Sequence, residues 1–217
     1  MVIDTETCNN NLPDKLVYDF GFSIIDTKGT VFEEHSYVIY DVFYGMKDIM
    51  ASMHLSKRIS NYKNDLKAGT RTIISIHRLQ KVIWDIIDTY NITAIVGHNA
   101  AYDIYALNKT YRYLTQSKIR YFFPSQIEIW DSAKMARSVI LKMKTYQNFC
   151  HSYNYLTTYK RCRYNAETLY RFIAKDPTFK ESHTALEDVK IECEIIWYCY
   201  RQKRPMEKLL YEKRLPT

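Results

Sequence analysis

The sequence predicts a mixed α/β fold: a five-stranded sheet built from a three-strand meander followed by βαβ units, with helices on both faces. Three observations predict it. Residues 2–40 read as three strands separated by turn residues, the second with apolar side chains at alternate positions, from Ser75 the apolar spacing becomes helical, and short apolar runs then alternate with helical patterns.

Val2 and Ile3 open the first strand, and the acids that follow at i and i+2, Asp4 and Glu6, share one of its faces. Asn9 to Lys15 is polar, contains Pro13 and reads as a turn. Leu16, Tyr18, Phe20, Phe22 and Ile24 alternate with polar or small residues, which predicts a strand to Asp26 with one buried face. Thr27-Lys28-Gly29-Thr30 is a hairpin turn and Val31 to Tyr40 a third strand. Residues 41–74 have no clean period and read either as a partly helical excursion or as a mobile lid. Ser75 is a candidate N-cap for a helix whose stripe is Ile76, Leu79, Ile83, Ile86, Ile87 and Tyr90. Thr93 to Val96 is a short strand ending at Gly97-His98-Asn99, and Ala100 to Asn108 resumes a helical pattern. Ile127 to Trp130 is the fifth strand, followed by a helix that Asp131 or Ser132 caps. The last helix starts at about Ala185, where Thr184-Ala185-Leu186-Glu187 has the form of a capping box, and Leu186, Val189, Cys193, Ile196 and Tyr200 form its buried stripe.

A chain of 217 residues suits one domain, residues 1–217, with an excursion at about 41–74. With 47% hydrophobic and 25% charged residues it is globular, and no apolar run approaches the roughly 20 residues that span a bilayer. No basic region followed by an apolar one opens the sequence, so a soluble, cytoplasmic protein is expected. Five cysteines, odd in number and without C-x-x-C spacing, read as reduced thiols. Lys+Arg exceed Asp+Glu by 31 to 24, and the net charge of +7 favours a polyanionic partner, of which nucleic acid is the obvious candidate.

The chemistry-bearing residues are spread along this frame. Two carboxylates as close as Asp4 and Glu6 repel each other unless a cation lies between them, and hard divalent ions prefer such oxygen ligands. Asp103 falls in the first turn of a helix that follows a strand, where the helix dipole favours an acid. His183 precedes the last helix and Asp188 lies on its flank, so an imidazole and an acid come from one helix start. Between Lys142 and Tyr164, Lys142, Lys144, Lys160, Arg161 and Arg163 interleave with Tyr146 and five further aromatics, without an acid. Cations meet phosphates and aromatic faces stack on bases, so this segment is equally a strand path or an aromatic core segment with a solvated edge.

Asp4-Thr5-Glu6, then Gly97-His98-Asn99-Ala100-Ala101-Tyr102-Asp103, then His183 with Asp188 five positions on, resemble the three motifs of the DEDDh (DnaQ-like) 3′→5′ exonucleases. They come in the family's order, on a strand and at two helix starts, and Tyr102 stands where phenylalanine is common. The resemblance implies an RNase H-like fold and two Mg²⁺ or Mn²⁺ ions held by Asp4, Glu6, Asp103 and Asp188. Asp4 would bridge the ions, Glu6 and Asp188 would complete the first site, and Asp103 would reach the second through water. His183 would be the general base that removes a proton from the attacking water, and nucleoside 5′-monophosphates would leave DNA or RNA ends, a single-stranded 3′ end being favoured. Thr5, Thr7 and Asn99, which lie within the motifs, are candidate substrate contacts alongside the basic and aromatic residues of 142–164. The alternative is a catalytically inactive nucleic-acid-binding or interaction module on the same fold. With no polymerase motif in the chain, association with a polymerase or a replication or repair assembly stays open, as does the oligomeric state.

Overall fold

The computed structural model describes residues 1–8, 15–52, 56–119 and 121–211. A six-stranded mixed sheet runs in the order β4-β3-β2-β1-β5-β6. Its centre is the meander β1 (Val2–Cys8), β2 (Leu16–Ile25) and β3 (Val31–Ile39), antiparallel throughout. The turn between β2 and β3 is held by Asp26, whose carboxylate accepts from the backbone N–H groups of Lys28 and Thr30, and by Gly29 at φ +87°. The turn expected at residues 9–15 falls almost wholly outside the described residues.

The described residues of 41–74 are partly helical, as one of the two readings expects: α1 (Tyr40–Phe43), α2 (Lys47–Ser52), a 3-10 turn (Ser56–Arg58) and α3 (Ile59–Ala68). The excursion returns to the sheet as β4 (Thr72–Ile74), parallel to β3, which is the strand the five-strand expectation lacked. Three residues are too few for alternation to show as a period.

Ser75 then caps α4 (Ile76–Thr89) by accepting from the Arg78 backbone N–H. β5 (Ala94–Gly97) lies parallel to β1 at Val2 and Val96, and α5 (Ala101–Thr115) follows it. β6 (Glu128–Asp131) pairs parallel with β5 and leads into α6 (Ser132–Val139), with Asp131 as the N-cap through the Ala133 N–H. After α6 come a 3-10 turn (Ile140–Lys142), α7 (Lys144–Ser152), α8 (Ala166–Ala174) and α9 (Ala185–Arg201). The five cysteines are free, and no helix among the described residues is long and apolar enough to cross a membrane.

Helices cover both faces. Ile3, Tyr18, Phe20 and Phe22 pack against Leu79 and Ile83 of α4 and Leu107 and Tyr111 of α5. On the opposite side Val2 and Val96 pack with Met135 and Val139 of α6, Tyr146 of α7 and Val189, Cys193 and Ile196 of α9. β2 is consequently buried on both faces from Leu16 to Ile24, against the single buried face that its alternation predicts. The polar or small side chains of its second face, Asp19, Gly21 and Ser23, lie under α9 instead of in water. A Cβ on Gly21 would stand 2.4 Å from the backbone N of Leu186, so only glycine lets the first turn of α9 lie directly on the strand.

The same packing explains the start of α9. The helix begins at Ala185 as the sequence predicts, but Thr184 makes no side-chain cap bond, its hydroxyl pairing with that of Ser182 instead. The Ala185 backbone N–H is satisfied by Asp19 Oδ2 at 3.0 Å. A distant buried carboxylate thus does the work that the capping-box pattern assigned to a local side chain.

Candidate metal centre

The even positions of β1 place Val2, Asp4 and Glu6 on the α9 side of the sheet, and Val2 packs there with Val189 and Ile196. Odd-numbered Thr5 points the other way, where α5 begins. β5 runs beside β1 only at Val2 before the chain turns into α5, leaving the Thr5 N–H without a strand partner on that side. Asp103 takes its place: its Oδ1 accepts from the Thr5 N–H at 3.1 Å and from the Thr5 hydroxyl at 2.7 Å. The first-turn acid therefore bonds the strand edge and, at the same time, stands close enough to Asp4 to raise its carboxyl.

The start of α9 brings the third group. One ligand atom each of Glu6, His183 and Asp188 lies within 4.8 Å of the other two. Asp4 and Asp103 are not in that triad. Asp4 lines one cleft with Asp188 and Glu192, and after burial the charges that raise its carboxyl most are those of Asp103 and Glu192.

The ionisation of these acids records their crowding. Burial first, and then Asp103 and the other acids, hold the Asp4 carboxyl well above the usual range. Burial and Asp188 raise Glu6 to about 8, with Arg58 opposing. Asp103 is raised to about 7 by burial against the opposing hydrogen bonds from Thr5, and Asp188 to about 7 by burial and Glu181. Acids crowded in this way call for a positive charge among them. Two of their oxygens, Asp188 Oδ1 and Glu192 Oε2, are buried with no hydrogen-bond partner among the described residues. The carboxylate oxygens, with open acceptors among them, fit a hard divalent cation such as Mg²⁺ or Mn²⁺, and a His183 ring nitrogen stands within 4.8 Å of those of Glu6 and Asp188.

His183 sits at φ +53° just before α9, with its side chain 51% exposed. Its carbonyl accepts from Arg58 at 2.7 Å, and its Nδ1 lies 3.9 Å from Glu181. Arg58 belongs to the excursion, which therefore helps to fix the histidine that the sequence analysis singled out. Burial and Glu167 raise Glu181 itself to about 7.

A cleft of about 810 Å³ opens over Asp4, Asp188 and Glu192, with Arg137 and Arg163 on its wall. Asn99 lines it at φ +65°, its backbone N–H held by Asp131 Oδ1 at 3.0 Å. His98, in the same motif, is fully committed: Nε2 donates to the Tyr164 carbonyl at 3.0 Å, which leaves Nδ1 to accept from the Ser132 hydroxyl at 2.9 Å. Thr7 and Tyr102 share a 2.7 Å hydrogen bond at the surface.

The basic and aromatic segment divides. Tyr146 is fully buried, and its hydroxyl donates to the Arg163 carbonyl at 2.6 Å, so this tyrosine is a core side chain with no free face for a base. Lys142, Lys144, Lys160 and Arg161 are exposed, and of the segment's cations Arg163 lines the cleft. Sequence reasoning missed Arg137, Glu181 and Glu192. Of these only Glu192 carries a local signal, since it lies four residues beyond Asp188 on one helix, the spacing that puts two side chains on the same face.

Fold and site together define a mixed α/β protein whose sheet carries an acid-lined cleft, with the exposed His183 close to Glu6 and Asp188. No family model matches the chain and no curated protein matches it. Among solved structures it is similar to "Exonuclease X in complex with 5′ overhanging duplex DNA", at 16% identity over 93% of this chain and 90% of that one, with a TM-score of 0.45.

Proposed function

We propose that the protein is a metal-dependent 3′→5′ exonuclease that releases nucleoside 5′-monophosphates from DNA or RNA ends. The observation that carries this reading is the convergence of Glu6, His183 and Asp188 within 4.8 Å, from positions up to 182 residues apart, beside Asp4 and Asp103. Those four acids would hold two Mg²⁺ or Mn²⁺ ions. Bound there, such ions supply Lewis-acid chemistry, neutralising charge that builds on the phosphoryl group and acidifying water.

The chain's own residues do the rest. His183, open to solvent beside Glu6 and Asp188, accepts the proton of the attacking water, while the bond from Arg58 to its carbonyl fixes its backbone. Asp103 is oriented by Thr5, so the candidate substrate contact at Thr5 is better read as the support of an acid. Arg137, which lies over the Tyr164 ring, and Arg163 offer charge to the phosphates of a strand entering the cleft, and the exposed Tyr159 offers a face for base stacking.

The test is incubation of the chain with 3′-labelled single-stranded DNA and RNA, with Mg²⁺ and with chelator. Label released as mononucleotide in Mg²⁺ alone is the expected result, and comparing the two sugars identifies the substrate. A folded protein that leaves both strands intact with Mg²⁺ and with Mn²⁺ overturns the proposal in favour of a binding module.

A further inference from the structure

Glu192 is an acid that neither the motifs nor the fold requires. It lies one helical turn beyond Asp188 on α9, is 3% exposed, and lines the cleft with Asp4 and Asp188. Its Oε2 has no hydrogen-bond partner among the described residues. The charged groups that bear on it most, Asp103, Asp188 and Glu181, are all acids, with a hydrogen bond from the His98 backbone N–H opposing them. Elsewhere in the fold a buried acid is fully provided for: Asp19 has Arg71, the Tyr62 hydroxyl and the Ala185 N–H. An unpaired buried carboxylate among others is costly, and an apolar or amide side chain of similar volume on this face of α9 would remove the cost.

We infer that Glu192 is a fifth carboxylate of the metal centre, which with Asp4 and Asp103 holds the second cation. The assignment rests on the proposed metal centre and goes beyond its four motif acids. Asp103 has one carboxylate oxygen committed to Thr5, which limits what it can give to an ion. Glu192 supplies the missing donor with a buried oxygen that has no hydrogen-bond partner among the described residues. The second site then has an anchor of its own on α9, as Asp188 provides for the first.

The experiment is Mn²⁺ titration of the whole chain, with free ion read by electron paramagnetic resonance, for the wild type and for Glu192→Gln, which keeps volume and removes charge. The wild type is expected to bind two ions. In the variant one of the two should weaken by about 10- to 100-fold while the other is unchanged, and in chelator the variant should melt above the wild type because a buried unpaired acid has gone. A folded variant that binds both ions with wild-type affinity overturns the inference and leaves the proposed function standing. A wild type that binds no Mn²⁺ overturns both. Should Glu192→Gln fail to fold, Glu192→Asp makes the same comparison with the carboxylate drawn back by one methylene: one weakened ion supports the assignment, and two unchanged ions overturn it.

Discussion

The backbone N–H of Ala185 donates to Asp19 Oδ2 at 3.0 Å, joining two residues 166 positions apart. Asp19 also accepts from Arg71 at 3.0 Å and from the Tyr62 hydroxyl at 2.7 Å, and Arg71 reaches on to Asp65 and Ser36. One fully buried carboxylate therefore ties together the strand opposite Glu6, the excursion at 41–74 and the start of the helix that carries Asp188. The His183 loop ends at this knot.

Arg71→Ala should cost about 3–5 kcal/mol, because it leaves Asp19 charged, buried and without its cation. Tyr62→Phe, which removes one bond and leaves the ion pair, should cost about 1 kcal/mol. Urea denaturation of the two variants measures both, and equal losses would show that the ion pair is not the centre of the knot.

Without metal, stability should fall as pH rises. Glu6 is raised to about 8 and Asp103 and Asp188 to about 7, so the folded chain holds protons that the unfolded chain, with ordinary carboxyls near 4, has already lost. The stability tied to these groups is complete below about 4 and is lost as pH climbs through 7 to 8. Melting followed in chelator from pH 5 to pH 9 should show a declining midpoint, and Mg²⁺ added at pH 8 should restore it. A midpoint that rises over this range, or is indifferent to the ion, contradicts the cluster as described.

Asp4→Ala should abolish metal-dependent digestion and leave the fold intact, since it removes an acid that its neighbours strain to accommodate. His183→Ala should lower kcat by about 10²–10⁴-fold with KM little changed, as expected for a general base that does not hold the strand. Steady-state kinetics near pH 7 separate the two parameters, and an unaltered kcat removes His183 from the chemistry.

Arg163→Ala should reduce the salt dependence of single-strand binding by about one phosphate contact. Lys142 and Lys144, exposed but outside the cleft lining, should change it less when replaced by alanine. Binding isotherms at several salt concentrations on the Asp4→Ala background give the slopes, and a larger loss at Lys142 than at Arg163 would place the strand elsewhere.

The sequence alone determined the meander, the helical stripe from Ser75, the strand before Gly97 and the start of the last helix at Ala185, because each rests on local periodicity or turn chemistry. It also singled out Asp4, Glu6, Asp103, His183 and Asp188, which stand in recognisable local settings. Only the tertiary structure decided that β2 is buried on both faces, that Asp19 rather than Thr184 satisfies the first N–H of α9, that β4 completes the sheet, and that Tyr146 belongs to the core. It alone placed Arg58 on the His183 loop and Glu192 in the cleft with Asp4 and Asp188. The reason is physical: periodicity reports which side chains share a face of one element, whereas the partner of a buried carboxylate or an arginine is set by which elements pack together, and no short-range pattern encodes that.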